Sequence, residues 1–249
     1  MPMVSDTVGI SGLQAGEEVK ISVGANHSVS GLFVRPSTAR AVFVLAHGAG
    51  AGMEHPSLQA VATGLADRGI ASLRYQFPYM ERKSRRPDPP ALCHATVRAA
   101  VAEALRLAPD LPLIAGGRSF GGRMTSQAQA QAPLARVGGL VFLAFPLHPA
   151  GRPGTERAAH LQEVGVPMLF LQGSRDELAD LGLLRPIVAS LGTRATLQVL
   201  EDADHSFHVP ARSGRKSSDV LEAALDALCT WLGDLGGPRR NQPREDRLP

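Results

Sequence analysis

The sequence predicts a single α/β domain, built on an eight-stranded, mainly parallel sheet with helices on both faces. Three observations carry that expectation. Short apolar runs alternate with helix-compatible stretches along nearly the whole chain, the pattern of strands joined by helical crossovers. Several of the runs, such as "AVFVLAH" and "PMLFLQG", are continuously apolar, as strands covered on both faces must be. Finally, 249 residues, 44% hydrophobic and 20% charged, are enough to bury one large core without disulfide staples.

Taken in order, "EEVKISV" and "SGLFVRP" read as an opening strand pair, followed by the buried strand Ala41 to His47, which runs into "GAGAG". In "HPSLQAVATGLADRG", Leu58, Val61, Ala62 and Leu65 share one helical face, Pro56 suits the first turn and Gly69 the end. The strand "IASLRY" leads to a Pro-rich loop ending at Pro90, and "ALCHATVRAAVAEALRLA" is helical. Then come strand "LPLIAGG", helix "FGGRMTSQAQAQA", strand "GGLVFLAF", a short helix from about Arg157 to Glu163, strand "PMLFLQG", a helix from about Leu178 to Leu191 and strand "ATLQVL". A last amphipathic helix carries Val220, Leu221, Leu225, Leu228 and Trp231. Residues 1–16 and 236–249 are expected to be disordered, leaving 17–235 as the domain. Only one short helix fits between Pro146 and Pro167, so no large cap domain is expected and the site should be open.

Composition narrows the function. No apolar run is long enough to span a bilayer, and the first residues lack a basic start and an apolar core, so neither a membrane partner nor a signal peptide is expected. Two cysteines, Cys93 and Cys229, argue against a disulfide framework and for a reducing, cytoplasmic setting; both read as small buried hydrophobes. The formal net charge is +3, and the basic runs "ERKSRRPDPP" and "GGPRRNQPREDRLP" lack interleaved stacking aromatics, so nucleic-acid binding is not expected. No histidine and cysteine spacing suggests a metal site, and no cofactor is called for.

Chemistry in such sheets sits at the carboxyl ends of the strands. There the chain offers Gly117-Arg118-Ser119-Phe120-Gly121, a G-x-S-x-G stretch between a strand and a helix. That context lets a strained turn lift one hydroxyl clear of the sheet, with glycines on either side permitting close backbone approach. A serine hydroxyl needs a base, and the base needs an orienting acid. Asp176 lies just beyond "PMLFLQG" and His205 just beyond "ATLQVL", in the order Ser, Asp, His. "LAHGAGAG" sits where an oxyanion loop belongs. The donors expected are the amides of Phe120 and of Ala49 or its neighbour Gly50.

With those pieces in place, the chain resembles small serine hydrolases of the α/β-hydrolase fold, in the dienelactone-hydrolase-like branch. The resemblance runs from about Glu17 to Leu232, on "HGAGAGMEHP", "FPYMERKSRRPDPP", "GGRSFGGRM", "FPLHPAGRPGTERAAHL", "LQGSRDEL" and "DADHSFHVP". It implies Ser119 as nucleophile, Asp176 as acid and His205 as base. Dienelactone hydrolases proper use a cysteine nucleophile, so the resemblance extends to fold and triad but not to that substrate.

Other residues are read as supporting. His208 competes with His205, which comes first after the acidic turn; Asp180 competes with Asp176 but falls within an expected helix. Asp202 and Asp204 shape the turn carrying His205. His47 is read as holding the oxyanion loop. Phe77, Tyr79 and His148 are candidates for lining the substrate pocket. Arg118 and Arg123 are read as structural ion-pair partners, and Arg82, Lys83, Arg85 and Arg86 as facing solvent. The function expected is hydrolysis of a small-molecule carboxylic ester or thioester through an acyl-enzyme. The alternatives are a non-catalytic interaction module on the same fold, or a peptidase or acyltransferase using the same triad.

Overall fold

The computed structural model describes residues 16–236. The expected terminal disorder therefore falls outside the described residues, apart from Gly16 and Gly236. The chain opens with an antiparallel pair, β1 (Glu17–Val23) and β2 (His27–Val34), and continues through β3 (Ala41–Ala46), α1 (Pro56–Asp67), β4 (Ile70–Tyr75) and a one-turn α2 (Pro78–Glu81). Next come α3 (Pro90–Leu107), β5 (Leu113–Arg118), α4 (Phe120–Gln131), β6 (Val137–Leu143) and a 3-10 stretch, Glu156–Glu163. β7 (Met168–Gly173), α5 (Leu181–Ser190), β8 (Ala195–Leu200) and α6 (Ser217–Gly236) complete the domain. The eight strands form one sheet in the order β1-β2-β4-β3-β5-β6-β7-β8, parallel from β4 to β8 in that order, with β2 antiparallel to both β1 and β4.

The central strands are buried throughout because both faces are covered. Along β3, Val42, Val44 and Ala46 join the core under α3, α4 and α5, while Phe43 and Leu45 join the core under α1 and α6. β6 and β7 divide the same way, with Phe142 and Phe170 on the first side and Val141, Leu169 and Leu171 on the second. Each fully buried leucine or phenylalanine contributes roughly 1.5–3 kcal/mol relative to exposure. β8 at the sheet edge alternates between exposed and half-buried positions, as an edge strand should.

The helices follow the expected faces, with corrected ends. α1 has Pro56 in its first turn and His55 as its N-cap, the ring nitrogen accepting from the Ser57 N–H at 3.2 Å. α5 begins at Leu181, later than expected, because Asp180 is its N-cap and accepts from the Leu183 N–H. β2 starts three residues before the expected Ser30, because the turn before it is shorter than its polar residues suggested. α2, expected as loop, forms behind Phe77 with Pro78 at its first position. Between β6 and β7 the described chain holds only the 3-10 stretch, so no cap domain covers the sheet. No helix among the described residues is long and apolar enough to cross a membrane.

Register lines up the strand exits. Ala46 pairs with both Tyr75 and Gly117, Arg118 with Leu143, and Gly173 with Leu200. The loops after β3, β5, β7 and β8 therefore leave the sheet along one rim.

Candidate active site

β5 delivers its last residue straight into α4 through Ser119, whose φ of 49° and ψ of −115° lie outside the regions ordinary side chains favour. The turn is held by the Ser119 N–H donating to the Leu143 carbonyl at 3.0 Å and the Arg123 N–H donating to the Ser119 carbonyl at 3.1 Å. Two glycines make it possible. A Cβ on Gly117, itself at φ 153°, would lie 2.3 Å from the Ala46 carbonyl oxygen, and one on Gly121 would lie 2.5 Å from that of His47. Any larger residue would push β5 and α4 away from β3 and its loop.

The Ser119 hydroxyl donates to His205 Nε2 at 2.8 Å, and His205 Nδ1–H donates to Asp176 Oδ2 at 2.7 Å. The carboxylate can only accept, so it sets the ring tautomer. Asp176 has a fully enclosed side chain, held at every turn. Oδ1 accepts from the Leu178 N–H at 2.8 Å, and Oδ2 also accepts from the Gln172 side-chain amide at 2.5 Å. Gln172 is wholly buried on β7. It could have been suspected from the sequence, since a polar residue inside "LFLQG" needs a partner.

The turn bearing His205 is built by Asp204, whose Oδ1 accepts the N–H groups of Ser206 and His208, while the Asp202 N–H donates to Ser174 Oγ. Arg118 ties this turn to the elbow by donating to the His205 carbonyl at 2.8 Å, with its guanidinium over the Phe207 ring. Burial weakens its hold on its proton. Neither Arg118 nor Arg123 forms an ion pair among the described residues, which corrects the expected role: Arg118 serves a backbone carbonyl instead. His208 is exposed, 3.8 Å from Asp204 Oδ2, while the Ser119 hydroxyl is taken by His205.

A cleft of about 440 Å³ opens beside Ser119, walled in part by Ala49, Phe120, Met124, Pro146 and Leu178. The Ala49 and Phe120 amides have no acceptor among the described residues. Phe120 is the first residue of α4, where an N–H has no intrahelical partner. Gly50, the other donor considered, is exposed and lies outside the cleft wall.

Three expected pocket residues lie elsewhere. Phe77 is fully buried and packs edge-on against His47 and Phe120, with ring centroids 4.9 and 5.5 Å away. Tyr79 is also buried, and its hydroxyl donates to the Ala49 carbonyl at 2.9 Å. Both lie beneath the site because "FPYM" turns inward through α2. His148 Nδ1–H donates to the Pro149 carbonyl and Nε2 accepts from the Asp180 N–H, so its ring is a loop clasp rather than a wall. His47 is a clasp of the same kind. Nδ1–H donates to the Gly48 carbonyl, Nε2 accepts from the Phe77 N–H, and burial holds its pKa down at about 4. The cleft residues that sequence reasoning missed come from three separate segments: Asp88 from the loop before α3, Gln127 from α4 and Arg157 from the 3-10 stretch.

A strained serine turn, an imidazole and an enclosed carboxylate at the strand exits of an eight-stranded sheet define the α/β-hydrolase class. The chain belongs to the alpha/beta hydrolase domain family, whose model matches residues 39–233. That membership supports hydrolysis as the general activity. Its fold is similar to that of an alpha-beta serine hydrolase homologue from Coxiella burnetii, at 20% identity, with a TM-score of 0.70, covering 88% of this chain and 100% of the other. A dienelactone hydrolase from Anabaena variabilis is similar at 22% identity and a TM-score of 0.69, covering 88% and 98%. A serine hydrolase from Xanthomonas campestris described as lacking a lid matches at 21% identity and a TM-score of 0.68, covering 88% and 96%.

Proposed function

We propose that the protein is a serine hydrolase that cleaves a small carboxylic ester or thioester through an acyl-enzyme. The observation that carries this reading is the unbroken hydrogen-bond line from Ser119 through His205 to Asp176, beginning on a strained turn that opens into a cleft. Ser119 Oγ attacks the substrate carbonyl while its proton passes to His205 Nε2. The developing oxyanion is met by the Ala49 and Phe120 amides. Such preorganised donors supply about 3–4 kcal/mol each in enzymes of this kind. Asp176 stabilises the imidazolium, held in place by Gln172 and the Leu178 amide. Collapse of the tetrahedral species breaks the ester bond, and the leaving alkoxide or thiolate takes the proton from His205. Water then repeats the sequence on the acyl-serine, giving the acid and free Ser119. No cofactor enters these steps. An uncapped cleft of this size suits a small acyl or alcohol group.

The test is labelling with a fluorophosphonate probe, followed by a panel of short-chain acyl esters. Probe attachment at Ser119 with turnover of at least one ester is the expected result. A folded protein that neither labels nor turns over any ester would overturn the reading.

A further inference from the structure

The cleft beside Ser119 carries an electrostatic imbalance. Arg123, on the first turn of α4, and Arg157, in the 3-10 stretch between β6 and β7, both line it and are both half-buried. Neither meets a carboxylate in an ion pair among the described residues. Arg123 Nε is enclosed with no acceptor among the described residues, and its guanidinium rests 6.0 Å from the centre of the Phe120 ring. The two cations act on each other: burial first, and then Arg157, weakens the hold of Arg123 on its proton. His160, on the same 3-10 stretch, is pushed down to about 4 by burial and by Arg123, and so adds no charge at neutral pH.

One carboxylate, Asp88, also lines the cleft, but its oxygens are engaged: Oδ1 by Arg82, Oδ2 by the Tyr79 N–H. Half-buried guanidiniums without partners are uncommon, because desolvating a cation costs several kcal/mol unless an anion compensates. Two of them converging beside a reactive hydroxyl leave room for a planar, monoanionic partner, which a guanidinium fork grips bidentately. Apart from Ser119 and Gln127, the rest of the wall, with Pro87, Pro90, Met124 and Leu178, is apolar and suits a short hydrocarbon spacer.

We propose that Arg123 and Arg157 form a carboxylate subsite, so that the substrate is an ester or thioester carrying a carboxylate a few carbons from the scissile carbonyl. This rests on Ser119 being the nucleophile, and it adds a substrate class to that reading. A carboxylate fits better than a phosphate. A phosphate carries more charge, and so meets more repulsion from the Asp88 carboxylate that shares the cleft.

Calorimetric titration of the whole chain with glutarate, glutaramide and inorganic phosphate tests the subsite without relying on turnover. Saturable glutarate binding is expected, with glutaramide and phosphate at least about ten-fold weaker, and with at least about ten-fold weaker glutarate binding in Arg157→Gln and Arg123→Gln. In parallel, the ratio of kcat/KM for a p-nitrophenyl hemiglutarate to that for p-nitrophenyl butyrate should fall about ten-fold or more in each variant. Circular dichroism would show whether either variant fails to fold, and the folded one then decides. No saturable glutarate binding, equal binding by wild type and variants, or tighter binding of phosphate than glutarate would each overturn the subsite. Loss of fluorophosphonate labelling with glutarate binding intact would instead overturn the nucleophile assignment.

Discussion

His47, one residue past β3, and His205, a few residues past β8, each have both ring nitrogens in hydrogen bonds. The partners of His47 are backbone groups, the Gly48 carbonyl and the Phe77 amide; those of His205 are the side chains of Asp176 and Ser119. His47 is fully enclosed and kept neutral by burial, while the side chain of His205 is 24% exposed beside the cleft. A histidine between two backbone groups has nothing to exchange a proton with, so it fixes the path of a loop. One placed between a carboxylate and a hydroxyl, with an open edge, can take a proton and return it. Position at a strand end is common to both; the partners separate a clasp from a proposed base.

That contrast breaks most visibly at the hydroxyl. Ser119→Ala should lower kcat on a short-chain ester by on the order of 10⁶, while the thermal unfolding midpoint stays within a few degrees of wild type. Retention of most of the activity by the purified variant would mean that the His205 line is not the reacting one. Asp176→Asn should cost less, roughly 10⁴ in kcat, because it acts through the ring tautomer of His205. Steady-state kinetics on the same ester would show the difference between the two variants.

On the His47 side the signature is stability rather than rate. His47 and His160 are held at about 4 in the folded protein against the ordinary 6.5, so between those values the unfolded chain binds more protons. Stability is therefore fully present above about pH 6.5 and declines as pH falls toward 4. Urea midpoints measured at pH 7.5 and pH 5 should differ in that direction, and His47→Gln should remove about half of the difference, since two groups share it. An unchanged pH dependence in the variant would show that His47 titrates normally.

Smaller effects sharpen the picture around the oxyanion loop. Tyr79→Phe removes the hydrogen bond to the Ala49 carbonyl, so it should cost about 0.5–1.5 kcal/mol of stability by chemical denaturation. It should also lower kcat by about ten-fold or less, through a loosened Ala49 peptide. The smallest change belongs to the exposed basic loop. Replacing Lys83 and Arg85 by glutamine should leave kcat/KM for a neutral ester within about two-fold, since exposed and unpaired charges act only through a screened field. A larger loss would place that loop against substrate.

How far the site could be read in advance depended on distance along the chain. Ser119, Asp176 and His205 stand immediately after apolar runs, and strand exits in a parallel sheet converge, so linear order sufficed to group them. Phe77 and Tyr79 also follow a strand, which by itself points them at the cleft wall. Pro78 starts a helical turn there, and the two rings fold under the Ala49 loop. Arg157 carried no signal, because its place depends on how the connection between β6 and β7 folds back against α4.

The architecture and the order of the chemical groups follow from the amino-acid sequence alone. Alternating burial demands, glycine and proline punctuation and the G-x-S-x-G turn are local physics, set by residues a few positions apart. Which polar groups meet was settled by the packing of the folded chain: that Gln172 grips Asp176, that Arg118 serves a carbonyl rather than a carboxylate, and that Arg123 and Arg157 share a cleft without an ion-pair partner among the described residues. Those outcomes depend on where side chains point once the chain has folded, and a hydrogen bond is made or missed within an ångström, whether the partners lie four residues apart, as Gln172 and Asp176 do, or far apart in sequence.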